Sequence, residues 1–568
     1  MVEKARRDRA GGAVSQVHAV PRPAATLMLV RDTAAGMEVF MIRRTQAAAF
    51  VGGAYVFPGG GLDVSDSSAD VAAFCAGMDD VEASRLLNLE RDGLAYWIAA
   101  IRECFEEAGL LLACDASGAY VDLSDPQRAA AFDQWRDRIR AGESTLAQLC
   151  AKQNLRLAAG QLAYFSHWIT QPNRPRRYDT RFLVALAPTA QTAAHDNSET
   201  VDHCWIRPAD ALERNRRGEI QLVFPTIKTL EAMTRYDTAA SLLEFARSPR
   251  EMPAMSPRAA ISRTGTTMLL PSDYAYAEVG KLDPDHHGNA SCEIIPGAVV
   301  RLSERVRRLT APNPGVMTGP GTNTYLVGSG EDIAVIDPGP DIDAHIDAII
   351  AAAGGNIRWI LTTHTHKDHS PAAIGLKART GAVLHGMAPP PYDNQDQSYR
   401  PDRVPAHGDR IELGGCSLRV IHTPGHASNQ VCYFLEDEKL LFTGDHIMQG
   451  STVVINPPDG DMAVYLDSLR LLKNEDIDWL APGHGFLMDK PHEMVDRLLV
   501  HRMNRENKVF NALRGAGSAS IEALLPVAYD DVPERIHRVA ARSLLAHLLK
   551  LQKEGRVALH GESWRVGS

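Results

Sequence analysis

Several anchors of secreted and membrane proteins are missing from this sequence. Its eight cysteines, at positions 75, 104, 114, 150, 204, 292, 416 and 432, are scattered, and no Cys-x-x-Cys pair occurs. That argues against a disulfide framework and a thiolate zinc knuckle, and predicts reduced thiols in a cytoplasmic protein. The opening MVEKARRDRAGGAVSQ is basic but has no apolar run, so no secretory signal is expected. No apolar stretch approaches the roughly 20 residues a membrane helix needs, so no membrane partner is expected. No motif recurs at a period of about 20 to 50 residues, which disfavours a solenoid or propeller. Nor is there an excess of positive charge: the formal net charge of −10 argues against a surface that grips nucleic acid all over.

What is present is an ordinary globular composition, 45% hydrophobic and 23% charged, over 568 residues, too long for a single core. ATLMLV and EVFMIRR have the pattern of strands, AYVFPGGG that of a strand ending in a glycine loop, and residues 69–112 are mainly helical in pattern. From Arg247 the pattern weakens through RSPREMPAMSPRAAISRTGTTMLLPSD, and residues 247–290 are expected to be a linker. Beyond it NTYLVG, IAVIDPG, WILTTH, AVLHG, LRVIHTPG and LLFTGD are short β-rich runs, with helical stretches such as DIDAHIDAIIAAAG between several of them. Strands alternating with helices indicate a layered α/β domain. The expected division is a domain over 20–246, the linker, a domain over 291–497, and a mainly helical end domain over 498–568 that closes with a hairpin around His-Gly-Glu-Ser.

The chemistry concentrates in LTTHTHKDHSPAA, residues 361–373, where His364, His366, Asp368 and His369 crowd one loop. Alternate side chains of an extended loop converge on one side while His369 turns to another, so the loop can offer ligands to two adjacent metals. Zinc favours imidazole nitrogen and carboxylate oxygen. His426 in HTPGH, Asp445 in FTGD and His484 in APGHG each follow an apolar strand-like run, where α/β layers commonly build sites.

This set resembles the metallo-β-lactamase fold hydrolases over about residues 296–495. The resemblance implies an αββα sandwich in which His364, His366 and His426 hold one Zn²⁺, Asp368, His369 and His484 hold a second, and Asp445 bridges them. Asp368 is expected to be catalytic as well as a ligand. Two metals about 3.5–4 Å apart activate water and clamp the attacked group, which serves hydrolysis of ester-like, amide or phosphodiester bonds. APNPGVMTGPGTNTYLVG, HTPGHASNQVCYFLEDEKLLFTGD and HRMNRENKVFNAL are similar to the β-lactamase-like protein 2 family, whose mitochondrial member is an endoribonuclease on single-stranded RNA and whose tail is winged-helix-like. HTHKDH departs from that family's aromatic-containing HWHRDH, and His446 follows the bridging aspartate. Residues 500–568 carry eleven basic and seven acidic residues, net +4. That balance, with Arg502 and Arg505 at the start, is compatible with a phosphate-tracking surface.

A second constellation lies upstream. In RECFEEAGL, Glu103, Glu106 and Glu107 share one helical face, Gly109 supplies a stop, and three clustered carboxylates suit a hard cation such as Mg²⁺. Preceded by FPGG, the pattern resembles the box of Nudix diphosphate hydrolases, which implies an α/β/α sandwich with Mg²⁺ or Mn²⁺ on the three catalytic glutamates. The box is stretched: Asp66, not Glu, stands six positions after Gly60, and 35 residues then precede Arg102. The peroxisomal CoA-diphosphatase type carries such an insertion and is also similar in AYVFPGGGLDVSD and WITQPNRPRRYDTRFLVAL. Arg102 is expected to brace the box through an ion pair. The combined reading is a bifunctional metal-dependent hydrolase, acting on CoA or nucleotide-linked diphosphates and on single-stranded RNA. The alternatives are a thioesterase-type zinc domain for acyl-CoA or acyl-glutathione, or a non-catalytic nucleic-acid-binding scaffold.

Overall fold

The computed structural model describes residues 19–46, 52–194, 200–330 and 332–567. They fall into two compact units, divided between Pro257 and Arg258.

In the first unit Arg22–Thr33 is the central strand of a mixed sheet. It runs parallel to Tyr178–Leu186 and antiparallel to Gly36–Arg44 and Gly59–Gly61. Ala163–Ile169 and Ala254–Met255 extend the sheet beyond Tyr178–Leu186, while Tyr55–Val56 and Thr200–Ile206 pair with Gly36–Arg44. The central strand is apolar on both faces because both are covered. Ala25, Leu27 and Leu29 pack with Trp97, Ile98 and Ile101 of the helix Leu94–Ala108, and Met28 and Val30, on the other face, are equally buried. That helix ends at Gly109, whose left-handed φ of 70° is the stop the sequence predicts.

The second unit stacks two six-stranded sheets. Tyr325, Val327, Ile336 and Leu361 of one meet Leu418, Val420, Tyr433 and Phe442 of the other in a shared core. Helices Asp343–Ala353 and Ala372–Thr380 cover the outer face of the first sheet. Met462–Leu472 and Pro491–Ala516 cover that of the second. This is the αββα sandwich. Beyond it Ile521–Ala528 and His537–Lys553 pack with the hairpin Val557–His560/Ser563–Val566, which turns at Gly561 as predicted.

Two expected boundaries are corrected. The linker expected over 247–290 is folded. Ala254–Met255 adds a strand to the first unit's sheet. Arg258–Ser262 and Gly265–Leu269 form a hairpin, and Tyr276–Leu282 is a helix in the second unit. Their order comes from backbone pairing and from side chains distant in sequence, which leave no local period to read. The boundary expected at 498 falls inside the 26-residue helix Pro491–Ala516. Its first half packs Val495 and Leu498 on the sandwich, and its second half packs Val509 and Leu513 into the end domain.

Candidate functional site

Four strands of the second unit end at one edge, and each hands the chain to a polar turn. Ile357–Leu361 leads into His364, His366, Asp368 and His369. Cys416–His422 leads to His426, Leu440–Gly444 to Asp445, and Trp479–Pro482 to His484. All seven converge. His366 Nδ1 lies 2.9 Å from His364 Nε2 and 3.1 Å from His426 Nε2. Next to this triad, His369 Nε2 is 3.6 Å from Asp368 Oδ2, and His484 Nε2 is 3.4 Å from the same oxygen. Asp445 lies between the groups: Oδ1 is 3.4 Å from both His369 and His484, and Oδ2 is 3.8 Å from His426.

The remaining ring nitrogens are held by neighbours, which orients the rings. His426 Nδ1 bonds Val454 O at 2.8 Å, and His484 Nδ1 bonds Gly321 O at 3.1 Å. His366 Nε2 lies 2.8 Å from the Asn394 amide, and His364 Nδ1 3.1 Å from Thr363 Oγ1. His369 Nδ1 bonds Asp337 Oδ2 at 2.9 Å, and the Asp337 carboxylate also accepts from the Thr363 amide and hydroxyl, each at 2.7 Å. Asp337 was not singled out in the sequence; its signal is the acid of IDPG at a strand end.

This donor set fits divalent metal. His369 Nε2 and Asp445 Oδ1 are buried with no hydrogen-bond partner, an arrangement costly without a ligand. Groups of three from this set bring one ligand atom per residue within 4.8 Å of one another. A Cβ at Gly483 would lie 2.6 Å from Asp445 Oδ1 and 2.7 Å from His369 Cε1, so only glycine lets the chain pass here. Burial, then the neighbouring imidazoles, holds His364 well below the ordinary range, and burial with His426 lowers His366 to about 3. Burial would lower His369 too, but Asp368, Asp445 and Asp337 outweigh it and lift its pKa. A cation on Nε2 would take the place of that extra proton.

In the first unit the stretched box closes on itself. Arg102 is buried; it donates to both oxygens of buried Asp66, at 3.0 Å each, to Gly61 O at 2.8 Å, and to Glu103 and Glu106 at 2.9 and 3.3 Å. Aspartate at 66 therefore serves as the brace, and the inserted residues form helices Ala69–Ala72 and Asp80–Leu87 and the first turns of Leu94–Ala108. Glu107 Oε2 accepts from the Gly59 amide at 2.8 Å. A Cβ at Gly60 would lie 2.4 Å from Glu103 Oε1. Burial raises the Glu103 carboxyl to about 7 and also raises Glu106. With Asp63 and Asp66 nearby, one arginine answers only part of this negative charge, so the group suits a hard cation.

Residues 317–484 match the metallo-beta-lactamase superfamily, 520–564 the beta-lactamase associated winged helix domain, and 81–233 the NUDT19 Nudix domain. A beta-lactamase-like protein 2 homolog of Caenorhabditis elegans is 31% identical over 266 residues, 46% of this chain and 88% of its own length. The chain belongs to the metallo-β-lactamase superfamily, with a Nudix domain ahead of it. An atrochrysone carboxyl ACP thioesterase of Aspergillus chevalieri is 33% identical over 273 residues, 46% of this chain and 85% of its own length. A Nudix hydrolase structure from Alicyclobacillus acidocaldarius is 28% identical and covers 40% of this chain and 96% of its own, at a TM-score of 0.33. By its family matches the protein is a hydrolase with Nudix, metallo-β-lactamase and winged-helix domains. Among the described residues no helix is long and apolar enough to cross a membrane.

One expectation fails on the helix Pro491–Ala516. Arg502 and Arg505 do not face a polymer. Both are buried, Arg502 donating to Val453 O, and Arg505 to Ala528 O and, at 2.8 Å, to Asp531. A basic residue count records charge without recording which face of the helix carries it.

Proposed function

We propose that the metallo-β-lactamase unit is a binuclear zinc hydrolase that cleaves phosphodiester bonds in single-stranded RNA. In the same reading the Nudix unit is a Mg²⁺- or Mn²⁺-dependent hydrolase of CoA or nucleotide-linked diphosphates. The observation that carries it is the pair of ligand groups meeting at Asp445, two of whose atoms lie 3.4 and 3.8 Å from ring nitrogens on opposite sides. His364, His366 and His426 would hold one zinc, Asp368, His369 and His484 the other, with Asp445 shared. Bound zinc supplies Lewis acidity, making water nucleophilic near neutral pH and withdrawing charge from the attacked centre. Asp368, with 30% side-chain exposure against 10% for Asp445, is the ligand carboxylate placed to receive the proton of the attacking water. In the Nudix unit Glu103, Glu106 and Glu107 would hold the cation, Gly59 fixing Glu107 and Arg102 bracing the loop.

The RNA reading draws support from Arg535, Arg538 and Arg542. These are exposed at and just before the start of His537–Lys553, with helical spacing that gives them one face. Among the described residues none of the three has an acidic partner within ion-pair distance, so their charge is open to phosphate. A thioester substrate is the second reading, favoured by the thioesterase among the 33%-identical relatives and by the burial of Arg502 and Arg505. The deciding experiment assays the zinc-loaded chain in parallel on single-stranded RNA, acyl-CoA, acyl-glutathione and free CoA. RNA cleavage that falls when the three arginines become alanine supports the first reading. Thioester cleavage without RNA cleavage replaces it with the second, and the absence of both refutes the pair.

A further inference from the structure

Between the Nudix match, which ends at 233, and the metallo-β-lactamase match, which starts at 317, lies a segment that none of the three family matches covers, and it reaches the turn carrying His484. Glu278, on the helix Tyr276–Leu282, is 1% exposed and receives the fork of Arg308, itself 1% exposed, at 2.6 and 2.9 Å. The same carboxylate accepts from the Leu487 amide at 2.7 Å, and Arg308 reaches Gly485 O at 3.4 Å. Asn323 holds the other side of the turn, bonding Gly485 O at 2.8 Å, Pro482 O at 3.1 Å and, through its amide, Gly483 O at 2.7 Å. A further contact from the same segment joins in: Gln449 donates to Tyr274 O and accepts from the Phe486 amide, each at 2.9 Å.

The turn 482–487 carries a single ligand, His484, whose Nε2 approaches Asp368 and Asp445. Its position depends on where the backbone on either side is pinned. Asn323, at the start of a sandwich strand, pins Pro482 and Gly483 before the histidine and Gly485 after it. Beyond that, with Gln449 on Phe486, the turn is held at Leu487 by a buried carboxylate contributed by residue 278, ahead of the matched region 317–484. We infer that Glu278, with Arg308, is a positioning residue for the second metal position, setting His484 so that Asp368, His369 and His484 close on one cation. This rests on the two-metal reading above. The residues preceding the sandwich then serve as part of the metal centre's frame, where the sequence pattern suggested only a tether. Arg308 alone cannot substitute, because without Glu278 its guanidinium would be a buried, unanswered charge beside the turn.

The test is zinc binding by the full chain, measured as stoichiometry and by chelator competition, with the visible spectrum after Co²⁺ substitution as a second readout. Wild type should take up two ions in the second unit, determined with the Nudix glutamates replaced by glutamine. Glu278→Gln keeps an acceptor for Leu487 but removes the charge. The pair Glu278→Leu/Arg308→Met removes both charges, and so guards against misfolding caused by an orphaned arginine. In the double variant one of the two zinc affinities should drop about 10- to 100-fold, the scale seen when a partner of a metal ligand is lost. The other site and its Co²⁺ bands should persist, and Glu278→Gln should fall between. Two ions bound with native affinity in the double variant would overturn the inference and leave the two-metal reading intact. Equal loss of both ions, accompanied by unfolding, would overturn it as well, since it would mark a general structural role. A wild-type chain that binds one ion would overturn both.

Discussion

Arg502→Leu should lower the stability of the metallo-β-lactamase unit and leave RNA binding essentially unchanged. Arg502 is 2% exposed, and its guanidinium donates to Val453 O and stands 5.5 Å from the centre of the Tyr465 ring. Removing the donor leaves a carbonyl buried without a partner, costing about 1–3 kcal/mol. Loss of the cation–ring contact adds up to about 1–2 kcal/mol. Acting against these, leucine removes a desolvated charge that has no carboxylate within ion-pair distance among the described residues, which returns part of the loss. A net destabilisation of about 1–3 kcal/mol follows. At about 2–4 °C per kcal/mol for a large domain, the unit's calorimetric midpoint should fall by about 2–12 °C. Val454, one residue on, holds His426 Nδ1 at 2.8 Å. Chelator competition should therefore also show faster metal loss from the variant. An unchanged midpoint, together with a shallower dependence of RNA binding on salt, would refute this reasoning and return Arg502 to the surface role its charge suggested.

Asp445→Ala should abolish hydrolysis by the second unit, below about one-thousandth of wild type, while diphosphate hydrolysis by the Nudix unit continues; turnover on the two substrate classes checks this. Glu107→Gln should lower diphosphate hydrolysis by orders of magnitude in Mg²⁺ without altering the zinc-dependent activity, as a steady-state comparison of the two reactions would show. Asp66→Ala strips the buried Arg102 of its bidentate partner. With Glu103 and Glu106 still nearby, it should destabilise the Nudix unit by about 3 kcal/mol, read as a lower thermal midpoint for that unit alone.

Much of the site was legible because its residues are chemically unusual and stand at strand ends. His364, His366, Asp368 and His369 sit in one loop, and His426, Asp445 and His484 each follow an apolar run, so residue type and position agreed. Helical spacing puts Glu103, Glu106 and Glu107 on one face, but only their resemblance to the Nudix box, with FPGG ahead of them, made them candidates for a cation. The positioning residues were not legible, since their roles exist only in three dimensions. Asp337 looks like an ordinary turn acid until His369 and Thr363 are seen around it. Glu278 has its arginine 30 residues away and its amide partner 209 residues away. The tail failed for a different reason. Counting eleven basic residues treats every arginine as solvated, whereas Arg502 and Arg505 lie on the buried stripe of a helix and Arg538 and Arg542 on an open one.

The helix Pro491–Ala516 belongs to two layers at once, its early turns to the sandwich and its late turns to the end domain. A rod shared in this way limits how the gene can be recombined. An exchange of tails between relatives that joined the chains at residue 498 would splice two halves of one helix and misalign the apolar stripe on each side of the junction. Exchange at Gly517, where the helix stops with φ 70°, keeps every stripe whole. The sandwich and the whole of this helix should therefore be inherited as one cassette up to that glycine.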